Sequence, residues 1–218
     1  MPGHLSSPLE KLSKARLTPV IDFPSIDLVD PIIDALLAGG LPIAEVTFRT
    51  PIAAQALKRI ALRNDILLLA GTVRTEEQVD AAVDSGAEII VMPGFNPRVV
   101  ERALRRGIDV CPGVCTPTDI EAATAYGLHT LKFFPAEACG GVAALRALSG
   151  PYPDVGFIAT GGITRSNLTD YLSVPSVVAC GGSWLTHRDL YAHGDFSQIA
   201  AATQDAVTAI QCIHKARS

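Results

Sequence analysis

Of the five lysines in this chain, Lys11, Lys14, Lys58 and Lys215 fall in helical or terminal stretches where a solvated ammonium costs little. Lys132 does not: it stands in His129-Thr-Leu-Lys-Phe-Phe-Pro135, with Leu131 before it and Phe133-Phe134 after it. Apolar surroundings penalise the charged form and favour the neutral amine. A neutral lysine is a nucleophile toward a carbonyl and can form a Schiff base. The same surroundings equally suit a structural lysine paired with a buried carboxylate, and burial alone leaves both readings open. Glu45 interrupts a second apolar stretch, Ile43-Ala-Glu-Val-Thr-Phe-Arg49. It is either the ion-pair partner of an interior lysine or a base that moves protons around a Schiff base. Arg49 follows the same stretch. Its planar fork suits a substrate carboxylate, and an ordinary surface salt bridge suits it as well. Asp22 is a minor candidate for a hydrogen-bond partner behind the site, while Asp109 opens its stretch and is set aside.

Glycine pairs form the second group. Thr160-Gly161-Gly162-Ile163 and Gly181-Gly182-Ser183-Trp184 each follow an apolar run. Glycines let backbone N–H groups close on an anion, and Ser183 adds a hydroxyl. One Gly-Gly alone says no more than a tight turn. Thr72, after Gly71, can donate to a substrate carboxylate or cap a helix, although Thr75 is the better cap. Trp184 reads as packing.

Eight short apolar runs must position these groups: Thr18–Ile21, Ile43–Phe48, Ile66–Ala70, Glu88–Met92, Ile108–Cys111, His129–Phe133, Val155–Ala159 and Val177–Cys180. Several are apolar almost throughout, as strands buried on both faces must be. Between them lie helical patterns, such as Asp27 to Leu37 ended by Gly39-Gly40, Glu76 to Asp84, Pro97 to Arg105, and Ser197 to Ile213. Eight strand–helix units predict an α/β fold, a single (β/α)8 barrel over residues 1–218, with Pro8 to Ala15 as an N-terminal capping helix and residues 1–7 flexible. In such a barrel chemistry sits where strands end, and phosphate sites form after strands seven and eight. Those are the places of Lys132, Glu45 and the two glycine pairs.

A net charge of −4 and scattered basic residues offer no footprint for nucleic acid. The longest basic cluster, Arg105-Arg106, reads as a solvated helix end. No apolar run is long enough to span a bilayer, and the first residues lack the core of a secretory signal. Five cysteines, with no zinc-like spacing, read as free, mostly buried thiols in a reducing cytoplasm. The five histidines form no metal-ligand pair, so no metal is expected.

Taken in order, Glu45-Val-Thr-Phe-Arg-Thr50, Ala70-Gly-Thr-Val73, Pro112-Gly113, Leu131-Lys-Phe-Phe-Pro-Ala-Glu137, Gly140-Gly141, Thr160-Gly-Gly-Ile163 and Gly181-Gly-Ser-Trp184 closely resemble the bacterial 2-keto-3-deoxy-6-phosphogluconate (KDPG) aldolases. Many of these also cleave 4-hydroxy-2-oxoglutarate (KHG). The resemblance covers nearly the whole chain. It implies Lys132 as the Schiff-base lysine and Glu45 as the general acid/base acting through water. Arg49 and Thr72 would hold the substrate carboxylate, with Pro93 and Phe134 as walls and Thr160 facing the substrate chain. Gly161, Gly162, Gly182 and Ser183 would form the phosphate site. It also implies a small keto acid phosphate as substrate, a cytoplasmic homotrimer without metal or cofactor, and a place in the Entner–Doudoroff pathway. The sequence departs from the pattern at Phe48 (leucine expected), Cys139 (asparagine) and Cys115 (serine). A related subfamily acting on the galactonate epimer has shorter forms of these strings. Two alternatives are a KHG aldolase with phosphate optional, and a barrel that binds a phosphorylated metabolite without turning it over.

Overall fold

A computed structural model describes residues 7–217. Its strands are β1 (Leu17–Ile21), β2 (Ile43–Thr47), β3 (Leu67–Gly71), β4 (Ile89–Val91), β5 (Asp109–Cys111), β6 (Gly113–Val114), β7 (Thr130–Phe133), β8 (Gly156–Thr160) and β9 (Val177–Gly182). Helices α1 (Pro8–Ala15), α2 (Val29–Ala38), α3 (Ala53–Ala61), α4 (Glu76–Asp84), α5 (Pro97–Arg105), α6 (Pro117–Thr124), α7 (Gly141–Ser149), α8 (Leu168–Leu172) and α9 (Ser197–Arg217) fill the intervals. All ladders are parallel, in the order β5-β4-β3-β2-β1-β9-β8-β7-β6. The β1–β9 ladder pairs Leu17 with Cys180 and Pro19 with Gly182, joining the two halves of the chain. This is the (β/α)8 barrel, with one difference from eight unbroken strands: the fifth is split at Pro112. The carbonyl of Cys111 accepts from Met92 N–H on the β4 side, and that of Pro112 from Lys132 N–H on the β7 side. Proline has no N–H to donate, so the chain turns from one neighbour to the other there.

Strand alternation sorts side chains into two shells. Ile43, Leu67, Leu69, Ile89, Val91, Cys111, Ile158 and Ala179 pack together inside the barrel. Ala44, Val46, Leu68, Ala70 and Ile90 pack outward with α2 to α5, while Leu131, Phe133, Phe157 and Ala159 pack outward with α6 to α9. Leu12 of α1 joins the inner cluster, so α1 does cap the barrel floor. Ser7 and Glu10 form a reciprocal capping box at its start. The expected flexibility of 1–7 falls outside the described residues except at Ser7, which this cap holds. The predicted helix from Asp27 begins instead as a short 3-10 turn, Ile26–Leu28, capped by Ser25.

One surface expectation gains a detail and another needs correction. Arg105-Arg106 does end helix α5 with Arg105 exposed, and its side chains also join a seam between α4 and α5. Arg106 bonds Asp80 and Asp84, each at 2.6 Å, Arg102 pairs with Asp80 at 2.8 Å, and Arg105 meets Glu76 at 3.6 Å. The bonds from Arg102 and then Arg106 hold the Asp80 carboxyl below the usual range. A lowered carboxylate stabilises the fold above its unfolded pKa and loses that effect as pH falls through the folded value. Asp80→Asn should therefore lower Tm at neutral pH and flatten the fall of Tm from about pH 4 downward. Equal Tm curves for the two proteins would refute this. The cysteines are free, but only Cys111 and Cys180 are buried; Cys139 is half-buried, and Cys115 and Cys212 are exposed. Cys115 lies just beyond β6, ahead of the N-cap of α6, and Cys212 on the outside of α9.

Candidate active site

Leu131 and Phe133 face the helices, so Lys132 between them must point inward. Ala44 and Val46 do the same for Glu45 on β2. The two inward groups meet across the barrel, with Lys132 Nζ 3.5 Å from Glu45 Oε1. Lys132 is 4% exposed and Glu45 0%, so each is the other's electrostatic compensation in a poorly solvated interior. Glu45 Oε2 is buried without a protein partner. Both readings of the pair from sequence therefore hold geometrically: an ion pair, and an amine beside a base. The Phe134 ring lies under the amine, 5.1 Å from Nζ to its centroid.

Gly71 explains how Glu45 fits. A Cβ on Gly71 would lie 2.4 Å from Glu45 Oε1 and 2.7 Å from its Cγ. The carboxylate thus rests on the bare backbone of β3. Thr72, next in sequence, adopts φ +58°, a left-handed conformation uncommon for threonine. It does not cap α4; Thr75 does, accepting from Gln78 N–H at 3.2 Å. Pro93 leaves β4 against β6, so closely that a Cβ on Gly113 would sit 2.3 Å from its carbonyl carbon.

Beside the pair, a cavity of about 140 Å³ is lined by Val20, Arg49, Phe134, Thr160, Ile163 and Ser183, with the glycines Gly161, Gly162, Gly181 and Gly182. The two glycine pairs thus come together, with Arg49 and Thr160 on the same walls. Glu45, Lys132, Thr72 and Pro93 are not on these walls, and Phe134 bridges the cavity and the amine. Gly161 and Gly162 have φ of +99° and +81°, and a Cβ on Gly162 would strike Glu137 at 2.4 Å. Glycine is required there on backbone grounds alone. Thr160 Oγ1 is buried without a protein partner, next to Gly181.

Arg49 lines the cavity, and its Nε lies 3.0 Å from Asp22 Oδ1 and 3.3 Å from Thr47 Oγ1, so the ion pair that its type also suits is present. Thr47 also donates to Asp22, so Asp22 stands behind Arg49 as a hydrogen-bond partner. Thr47 was missed in the sequence, although it lies two residues past Glu45 and hence on the same face. Val20 and Ile163 were missed too, as apolar residues indistinguishable from core. So was the contact in which buried Tyr171 donates to Glu137, clamping the turn after β7 to α8.

The arrangement offers a buried primary amine, an adjacent carboxylate and a glycine-walled cavity with an arginine at its edge. Among the described residues no helix is long and apolar enough to cross a membrane. The family model for KDPG and KHG aldolase matches residues 9–202. A 2-dehydro-3-deoxy-phosphogluconate aldolase of Treponema pallidum is 45% identical over 196 residues, covering 89% of this chain and 93% of that protein. The KHG/KDPG aldolase of Escherichia coli K12 is 38% identical, covering 90% and 92% respectively. The crystal structure of the Legionella pneumophila KDPG aldolase, with pyruvate captured at low pH as a covalent carbinolamine, superposes with a TM-score of 0.89 at 33% identity, covering 92% of this chain and 98% of that one. A fold, a family match and a buried amine beside a carboxylate agree, and the chain belongs to the KDPG and KHG aldolase family.

Proposed function

We propose that this class I aldolase cleaves KDPG to pyruvate and glyceraldehyde 3-phosphate through an iminium on Lys132. The observation that carries this reading is the buried Lys132–Glu45 contact at 3.5 Å beside the glycine-walled cavity. Neutral Lys132 Nζ adds to the C2 ketone, and the carbinolamine loses water to leave an iminium, an electron sink. Glu45, through water, accepts the proton of the C4 hydroxyl. The C3–C4 bond breaks and its electrons pass into an enamine, releasing the aldehyde. The enamine takes a proton at C3, and water hydrolyses the iminium to pyruvate and free amine. Arg49 and Thr72 hold the carboxylate, Pro93 and Phe134 flank the pyruvyl group, and Thr160 faces the sugar chain. Gly161, Gly162, Gly182 and Ser183 receive the phosphate through N–H and O–H donors.

The test is borohydride reduction in the presence of pyruvate, then peptide mass spectrometry. A reduced pyruvyl adduct on Lys132 is expected; folded protein with no adduct on any lysine would overturn the mechanism. Gly71→Ala checks the placement of Glu45. The added methyl overlaps the carboxylate, and a displacement of about 1 Å can cost ~10²-fold in rate. We expect kcat to fall by about that factor with the circular dichroism spectrum intact. An unchanged kcat would separate Glu45's position from turnover.

KHG is the second substrate to compare, because the family and the E. coli relative carry both names. A cavity walled by four glycines favours the phosphorylated one. We further infer a cytoplasmic homotrimer serving the Entner–Doudoroff pathway. Family resemblance supports the assembly and the pathway, and five unpaired cysteines agree with a reducing compartment. Light scattering of the purified protein at three times the chain mass is the expected result.

A further inference from the structure

Two thiols unused by this mechanism meet at the rim of the barrel. Cys115 is the first residue after β6, and Cys139 ends the turn that follows β7. They are brought together by the short β6–β7 ladder, which pairs Gly113 with Lys132 and Val114 with Phe133. Phe134 N–H continues it by donating to the Val114 carbonyl, and Cys139 N–H closes the turn onto the Pro135 carbonyl at 3.0 Å. The Cys139 thiol is a neighbour of the Cys115 thiol, close enough to help raise its pKa. Cys115 is exposed and Cys139 half-buried, so a small reagent can reach the pair. The other cysteines differ: Cys111 and Cys180 are sealed in the core, and Cys212 is on α9.

We propose that Cys115 and Cys139 form a dithiol site that closes to a reversible disulfide on reaction with small-molecule disulfides. In the first step the Cys115 thiolate attacks one sulfur of the reagent, forming a mixed disulfide and expelling one thiolate. Cys139, having given its proton to solvent, then attacks the Cys115 sulfur. The Cys115–Cys139 bond forms and the second reagent thiolate leaves. Two protein thiols are oxidised and one reagent disulfide is reduced to two thiols. Burial, and then contact with Cys139 and Asp119, holds the Cys115 thiol above its ordinary range. The first step is therefore slow at neutral pH and is best run under mildly alkaline conditions. The closed bond covalently joins the second half of the split fifth strand to the turn 134–139. That turn carries Phe134, whose ring packs against the Lys132 amine.

The experiment treats the whole protein with oxidised glutathione, caps free thiols, and reads intact mass and peptide maps. The expected product is lighter by two hydrogen atoms, retains no glutathione, yields a cross-linked Cys115–Cys139 peptide, and reverts with dithiothreitol. Cys115→Ser should remove the cross-link and leave Cys139 with a glutathione adduct or a free thiol. Either of two results would overturn the proposal: wild-type protein whose Cys115 and Cys139 are both capped in full, or protein carrying a separate glutathione on each. A bond from either residue to Cys212 of another copy, seen as a dimer on a non-reducing gel, would overturn it as well.

Discussion

Lys132→Ala is expected to abolish pyruvate release and borohydride trapping together, since no other lysine lies on a strand of the barrel. A drop confined to the natural substrate, with trapping intact on another lysine, would show that the nucleophile lies elsewhere. The variant has a second consequence. Removing the ammonium leaves Glu45 buried without its counter-charge, a change that costs about 3–5 kcal/mol in comparable buried pairs. Lys132→Arg separates chemistry from stability. It keeps a cation facing Glu45, yet a guanidinium offers no amine for imine formation. The arginine protein should keep more of the wild-type Tm than the alanine protein while being equally inactive.

Glu45→Gln tests the other half of the pair. The amide preserves shape against Gly71 but cannot accept the C4 proton. We expect kcat to fall by ~10²–10⁴, with pyruvate still trapped by borohydride. Trapping should survive because imine formation needs the Lys132 amine, which this variant leaves in place. Full activity in this variant would disprove the acid–base assignment. Together the two variants divide the reaction: one blocks bond formation to the enzyme, the other blocks cleavage of the C3–C4 bond once the iminium has formed.

The barrel and its chemistry were legible because both are written in local alternation. Leu131, Phe133 and their counterparts Ala44 and Val46 need an apolar shell, so the charged residues between them must point the other way. No knowledge of the partner strand is needed for that. The break at Pro112 was not legible, since Ile108–Cys111 reads as one short strand followed by a Pro112-Gly113 turn. That its two halves pair with different neighbours depends on where β4 and β7 arrive. The arginine seam escaped for a similar reason: Arg102 and Arg106 lie 22 and 26 residues from Asp80, and only the alignment of α4 with α5 makes them partners. Gly71 could be seen as a turn residue but not as the seat of Glu45, because β2 pairs Glu45 with Leu69 and the contact lies two residues farther on. The exposure of Cys115 likewise depended on where β6 ends, one residue before it.

The lone tryptophan offers a use unrelated to its packing. A Cβ placed on Gly182 would fall 1.6 Å from the Trp184 ring, so the indole packs against the backbone of a glycine that lines the cavity. An anion bound there changes the electric field and the solvent access of the chain's single indole. Excitation of Trp184 should therefore give an unlabelled optical signal of occupancy. Its emission should shift in a saturable way as inorganic phosphate is titrated, and stay flat with chloride at equal ionic strength. The protein would then report its own ligand binding in real time, before any bond to Lys132 is made.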